Sequence, residues 1–142
     1  MTRACRTFGD TDIESLVKLM RQLGYEHSNE SLQFNISQVR KQGGEVFVAE
    51  DGGHVCGCIS AILDVRMAAG VCGEIVSLVV DEAHRGKGLG KQLVNTAENY
   101  LKQHTKKIRV RANVTRADAH EFYAALGFCE IKTQKIFRKS VA

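Results

Sequence analysis

Between the apolar run Val76-Ser77-Leu78-Val79-Val80 and a helix-like segment, the chain places Arg85-Gly86-Lys87-Gly88-Leu89-Gly90. A joint between a strand and a helix does not need this many glycines and cations. Glycine can turn successive backbone N–H groups toward one anion with no Cβ in the way. A helix beginning there adds its unpaired N–H groups and the positive end of its dipole. Arg85, Lys87 and Lys91 add full charges. A diphosphate fits such a place. The Walker pattern, which needs GK followed by Ser or Thr, is absent. The GxGxxG dinucleotide fingerprint fails as well, because counting from Gly86 puts Lys91 at its last glycine. It also belongs at a first β-α turn, whereas this joint lies mid-chain after hairpin signals. What remains is an arginine followed by glycines three and five positions on, set against the plainer reading of a glycine-rich surface loop.

The elements around the joint follow from periodicity. Thr2–Phe8 reads as a short strand, and Asp10-Thr11-Asp12 offers a cap to a helix carrying Ile13, Leu16, Val17, Leu19 and Met20, which Gly24 ends. Asn29 or Ser31 can cap a second helix running to about Lys41. Glu45–Glu50 and Val55–Val65 flank the hairpin turn Asp51-Gly52-Gly53, and Cys72–Val80 is a further strand. Gly88–Gln103 is a helix with Leu89, Leu93, Val94, Ala97 and Leu101 on its buried stripe. Lys107–Ala112 is a short strand, Ala117–Leu126 a helix stopped by Gly127, and Phe128–Lys139 one or two closing strands. The order is β-α-α-β-β-β-α-β-α-β. It predicts a mixed α/β domain (α+β in some schemes), with hairpins pairing antiparallel and the strand-helix-strand unit giving a parallel pair.

Composition narrows the class. A chain of 142 residues, 44% of them apolar, suits one domain over 1–142 with a real core. No run of eighteen apolar residues suggests a membrane span, and "MTRACRTFGD" lacks the apolar stretch of a signal peptide. The five cysteines, an odd number, read as reduced thiols, so a cytoplasmic protein without metal is expected. A net charge of +4 suits an anionic ligand but is too mild to argue for nucleic acid, and no base-reading motif is present.

At this point "VVDEAHRGKGLGKQLV" resembles the acetyl-CoA pyrophosphate loop of the GNAT superfamily of N-acetyltransferases. Downstream, "NVTRADAHEFYAALGF" resembles that superfamily's following segment, with Asn113, Ala119, Phe122-Tyr123 and Leu126-Gly127-Phe128 in order. The resemblance implies a mixed sheet flanked by helices on both faces and acetyl-CoA as cosubstrate. It implies that Leu78, Val79 and Val80 offer backbone groups to the pantetheine arm, where neighbouring strands splay. Arg85, Gly86, Lys87, Gly88, Leu89, Gly90 and Lys91 would hold the pyrophosphate, Asn113 would touch the pantetheine, and the small Ala119 would let the cosubstrate lie close.

The implied reaction is direct attack of an amine on the thioester. Tyr123, near the CoA sulfur, is the expected general acid for the thiolate. Glu74, four residues before Leu78 and on its side of a regular strand, is the candidate general base, and His120 its rival or a substrate contact. Acceptor contacts are sought in the variable front part, at Tyr25, His27, Glu30 and Phe34, and at Arg66. "GEIVSLVV", "ADAHEFY" and "KIFRK" resemble small bacterial acetyltransferases of aminoalkylphosphonates. A protein or peptide acceptor and a non-catalytic acetyl-CoA-binding module are the alternatives. The last strands, or the face near Ile136 and Phe137, offer a place for two copies to pair.

Overall fold

A computed structural model describes residues 3–112 and 114–142. The chain divides into two compact units, Met1–Arg111 and Ala112–Ala142. The first contains β1 (Arg3–Thr7), α1 (Ile13–Leu23), α2 (Asn29–Lys41), β2 (Glu45–Asp51), β3 (His54–Arg66), β4 (Gly70–Val80), α3 (Leu89–Leu101) and β5 (Ile108–Val110). The second contains α4 (Ala117–Ala125).

The strands form one sheet in the order β1-β2-β3-β4-β5. All neighbours are antiparallel except β4 and β5, which are parallel. Gly52 and Gly53, at φ 61° and 85°, make the two-residue hairpin between β2 and β3, as a primed turn requires. The element order follows the sequence expectation through α4. Residues 128–142, where closing strands were expected, form none. A strand needs a ladder partner, and Ile131, Ile136 and Phe137 remain exposed there.

Side-chain alternation sends the two faces of the sheet to different helices. Val46, Val48, Cys58 and Val79 pack with Leu16 of α1 and Ile36 of α2. On the opposite face Phe47 meets the edge of Tyr100 of α3, with ring centroids 5.8 Å apart. A Cβ on Gly57 would lie 3.1 Å from Leu93, and one on Gly73 would lie 3.0 Å from Leu101. Those two glycines let α3 approach the sheet closely. Leu93 is fully buried in that contact. Leu93→Ala is expected to cost about 3 kcal/mol, read from the urea midpoint.

Two polar devices fix the front helices. Asp12 precedes α1, accepts the Gly9 N–H at 2.8 Å and takes both Arg6 guanidinium nitrogens at 2.7 and 2.9 Å. The Arg6 hydrogen bonds hold its carboxyl below the usual range. Such a group contributes stability above its unfolded pKa of about 3.9 and loses it as pH falls through the lower folded value. Asp12→Asn is therefore expected to flatten the acid limb of the stability curve, checked by urea melts from neutral pH downward. The cap of α2 is Ser28 rather than Asn29 or Ser31: Ser28 Oγ accepts the Ser31 N–H, and Ser31 Oγ accepts the Ser28 N–H. This is a reciprocal capping box. Among the described residues no helix is long and apolar enough to cross a membrane.

Candidate active site

The site begins where β4 becomes irregular. Ser60 of β3 pairs with Val76, yet Cys58 pairs with Val79. Two residues, Ser77 and Leu78, thus oppose the single Ile59, and Ser77 takes φ 56°. This is a β-bulge, and it shifts the alternation of the strand. Val79, not Leu78, therefore shares the face of Val76 and Glu74. The regular-strand argument that put Glu74 and Leu78 on one side fails for this reason.

The strand also parts from its neighbour. β5 pairs with Gly73, Glu74 and Ile75 only, so Val76–Val80 continue without it. Val80 leads into a short turn fastened to both sides. The Asp81 N–H donates to the Cys56 carbonyl at 2.7 Å. The Asp81 carboxylate accepts from Gln22 of α1 at 2.7 Å and lies 3.1 Å from His84 Nδ1. Those two partners, Gln22 foremost, hold its carboxyl below the ordinary range.

The glycine turn follows. Arg85 Nε donates to the Val80 carbonyl at 3.1 Å, and Lys87 Nζ lies 3.4 Å from Asp51. Gly86 and Gly88 sit at φ 82° and 80°, and no atom lies within 4 Å of where a Cβ would stand on either. The backbone conformation, not crowding, requires glycine here, and the space before it is open. α3 starts at Leu89 with no acidic side chain in its first turn and no side-chain cap. The Gln92 N–H donates to the Gly88 carbonyl at 3.1 Å. The N–H groups of Leu89, Gly90 and Lys91 precede that bond at the helix end. This arrangement fits a diphosphate.

On the helix-covered face beside the bulge lies a cavity of about 430 Å³ between α1, α2 and the sheet. Tyr25 and His27, both expected acceptor contacts, line it with Asn35, Ser60 and Ser77. Glu30 and Phe34 are exposed on α2 and do not line it; Phe34 is 61% exposed. Arg66, at the end of β3, binds Asp64 at 2.7 Å and lies outside the cavity wall. Sequence reasoning passed over Ser60 and Ser77. Their signal was a lone hydroxyl in each of two apolar runs, "CISAIL" and "IVSLVV".

Glu74 is buried, with 7% of its surface exposed. Its Oε1 accepts Arg109 Nε at 2.9 Å and Nη2 at 2.6 Å, and Arg111 Nε stands 3.5 Å away. Arg109 also binds Asp64. Glu74 Oε1 is thus held among guanidinium groups. Glu74→Gln is expected to lower stability by about 2 kcal/mol while leaving the pH dependence of turnover unchanged, checked by urea melts and pH–rate profiles.

In the second unit, α4 carries the half-buried Tyr123. Its ring meets Phe122 and Phe128 edge-on, with centroids 5.1 and 5.7 Å away. Burial pushes the phenol pKa up, opposed by the charge of Arg116. Ala119 lies one turn earlier, and His120 is exposed on the same helix. Asn113 lies outside the described residues.

The sequence matches the model of the acetyltransferase (GNAT) family over residues 11–128. Among solved structures, glucosamine-6-phosphate N-acetyltransferase of Arabidopsis thaliana superposes with a TM-score of 0.84 at 23% identity, covering 99% of this chain and 100% of that one. The aminoglycoside 6'-N-acetyltransferase AAC(6')-IG of Acinetobacter haemolyticus gives 0.81 at 19% identity, covering 98% and 99%. A Trypanosoma brucei acetyltransferase gives 0.81 at 23%, covering 97% and 100%. These likenesses concern the fold. No curated protein matches the sequence.

Proposed function

Since this chain belongs to the acetyltransferase (GNAT) family and takes acetyl-CoA as its cosubstrate, we propose that it acetylates the primary amine of a small molecule by direct attack on the thioester. One observation carries the reading. β4 parts from β5 after Ile75 and leads, through the short turn at Asp81–His84, to a glycine turn at the uncapped start of α3. In this reading the edge of Leu78, Val79 and Val80 that β5 leaves unpaired lines the pantetheine arm. Gly86 through Lys91 supply N–H groups and charge to the pyrophosphate, and Arg85 braces the turn against Val80. The motif likeness assigns Asn113 and Ala119 to the cosubstrate as well.

Tyr123 is the general acid. Its raised phenol pKa keeps the proton in place at neutral pH until the thiolate leaves. A backbone N–H near the bulge meets the oxyanion as a fixed dipole. The bulge supports that role, because it turns successive peptide groups out of the ladder. Glu74 serves as a structural anchor of β5 rather than as base, and His120 is a substrate contact.

A small acceptor is favoured over a peptide, which needs an extended groove, because the cavity of about 430 Å³ is lined by α1 and α2 as well as by the sheet. A non-catalytic binding module would have no use for Tyr123. The motif likeness to aminoalkylphosphonate acetyltransferases, and the sugar amines named for two fold neighbours, put those amines on the test panel as rival acceptors. Ile136 and Phe137, 81% and 89% exposed, support pairing of two copies.

Thiol release from acetyl-CoA tests the reading, with aminoalkylphosphonates, polyamines, amino acids, aminoglycosides, arylalkylamines and a lysine peptide as acceptors. Turnover with one small-amine class is expected. Turnover with the peptide alone would reassign the acceptor, and failure to bind acetyl-CoA would overturn the site.

A further inference from the structure

The cavity beside the bulge has a wall chemistry that selects among amines. Its apolar surface comes from Leu16, Met20, Leu32, Ile36, Val39 and Val46, with Leu16 and Ile36 deeply buried. Its polar groups are all neutral in kind or weakly basic: Tyr25, His27, Asn35, Ser60 and Ser77, with the thiol of Cys58. Among the described residues lining it there is no carboxylate, guanidinium or ammonium. A phosphonate would enter without a cation to meet it. A polyamine or aminoglycoside would bring several ammonium groups with no carboxylate to receive them. Burying an unpaired charge is costly in either case. An apolar body loses nothing there and contributes about 25 cal/mol per Å² of surface removed from water.

We propose that this cavity holds the apolar body of a monoamine, and that His27 takes the proton from its nitrogen. The inference rests on the acetyltransferase reading and names its acceptor class. An alkylammonium, with a pKa of about 10 like that of lysine, must become neutral before it can attack. Desolvation against this wall favours the neutral amine, so the proton needs a receiver at the wall. Cys58 is unsuited, since burial pushes its thiol up to about 12. Histidine is the side chain suited to proton exchange near neutral pH.

The capping box sets which nitrogen of His27 is available. Ser31 Oγ accepts the Ser28 N–H at 3.0 Å and donates its hydrogen to the Ser28 carbonyl at 3.2 Å. With that hydrogen on the carbonyl, Ser31 Oγ faces His27 Nδ1, 3.0 Å away, as an acceptor. Nδ1 carries the ring hydrogen in this arrangement, and Nε2 keeps its lone pair. The steps balance. One ammonium proton passes to Nε2 and on to solvent. The nitrogen lone pair forms the C–N bond, the C–S bond breaks with its electrons on sulfur, and the second nitrogen proton ends on the thiol by way of Tyr123.

The test compares 2-phenylethylamine, 2-aminoethylphosphonate, spermidine and neamine as acceptors with the full chain and acetyl-CoA. Phenylethylamine is expected to show a kcat/KM at least tenfold above the others. His27→Ala is expected to lose about 10²-fold in kcat, to keep the KM of both substrates, and to regain turnover with added imidazole. Imidazole rescue separates proton transfer from a packing role. Preferred acetylation of the phosphonate, spermidine or neamine would overturn the inference and leave the acetyltransferase reading standing. An unaltered kcat in His27→Ala would overturn the role of His27. Phenylethylamine that is neither acetylated nor bound in calorimetry beside CoA would overturn the cavity assignment.

Discussion

Tyr123→Phe is expected to lower kcat about 10²- to 10³-fold with the affinity for acetyl-CoA unchanged. The substitution removes one oxygen and keeps the ring. The ring is what packs against Phe122 and Phe128, so α4 keeps its local packing. What disappears, on the proposed role of Tyr123, is the proton awaiting the thiolate. Burial raises the phenol pKa and so keeps the group protonated across the working range. A free thiol sits near 8.5, so the departing thiolate takes up a proton at neutral pH, and the phenol is the group placed to supply it. Acceptors with the least basic amines should suffer most, because a less basic amine is itself the better leaving group and competes with the thiolate for expulsion from the tetrahedral adduct. Steady-state kinetics of the two proteins, with acetyl-CoA affinity measured alongside, check this. An equal fall in kcat and in cosubstrate affinity would mean that the tyrosine matters through packing instead.

Gly88→Val should weaken acetyl-CoA binding about 100-fold and leave the fold in place. Two costs act together. At φ 80° a side chain is strained by roughly 1–2 kcal/mol. The new side chain also occupies the open space before the α3 start, where no atom lies within 4 Å of the Cβ position. Because that space is empty of protein, the substitution creates no internal clash. The buried stripe of α3, from Leu89 to Leu101, is untouched, so far-ultraviolet circular dichroism should match the parent. Calorimetric titration with acetyl-CoA gives the affinity. A Gly88→Val protein that binds normally would remove the glycine turn from the site.

How far the sequence carried depended on whether a feature is local. The glycine turn, the Gly52-Gly53 hairpin and the stripe of α3 follow from φ requirements and helical spacing within a few residues. All three stand where the sequence placed them. Glu74 illustrates the opposite case. Its role turns on Arg109, 35 positions away and brought alongside by the parallel β4–β5 pairing. Its relation to Leu78 turns on a bulge that exists only by counting residues on the facing strand. Nothing within "GEIVSLVV" announces either fact, although Ser77 was the odd residue in the run. The cavity is likewise tertiary: Tyr25 and His27 come from a connector, Asn35 from α2 and Ser60 from β3. One or two closing strands were expected over Phe128–Lys139, and residues 128–142 form none; strand formation depends on a ladder partner, which no local stretch of sequence specifies.

Mass spectrometry of the products formed from acetyl-CoA labelled with ¹³C in its acetyl group shows whether the acetyl group reaches an amine nitrogen. The account predicts an amine carrying the labelled acetyl on nitrogen, formed one for one with free CoA thiol, from a small monoamine and at a rate that falls in Tyr123→Phe. Thiol released without any N-acetylated product, or no thiol release with any amine despite bound acetyl-CoA, would contradict it.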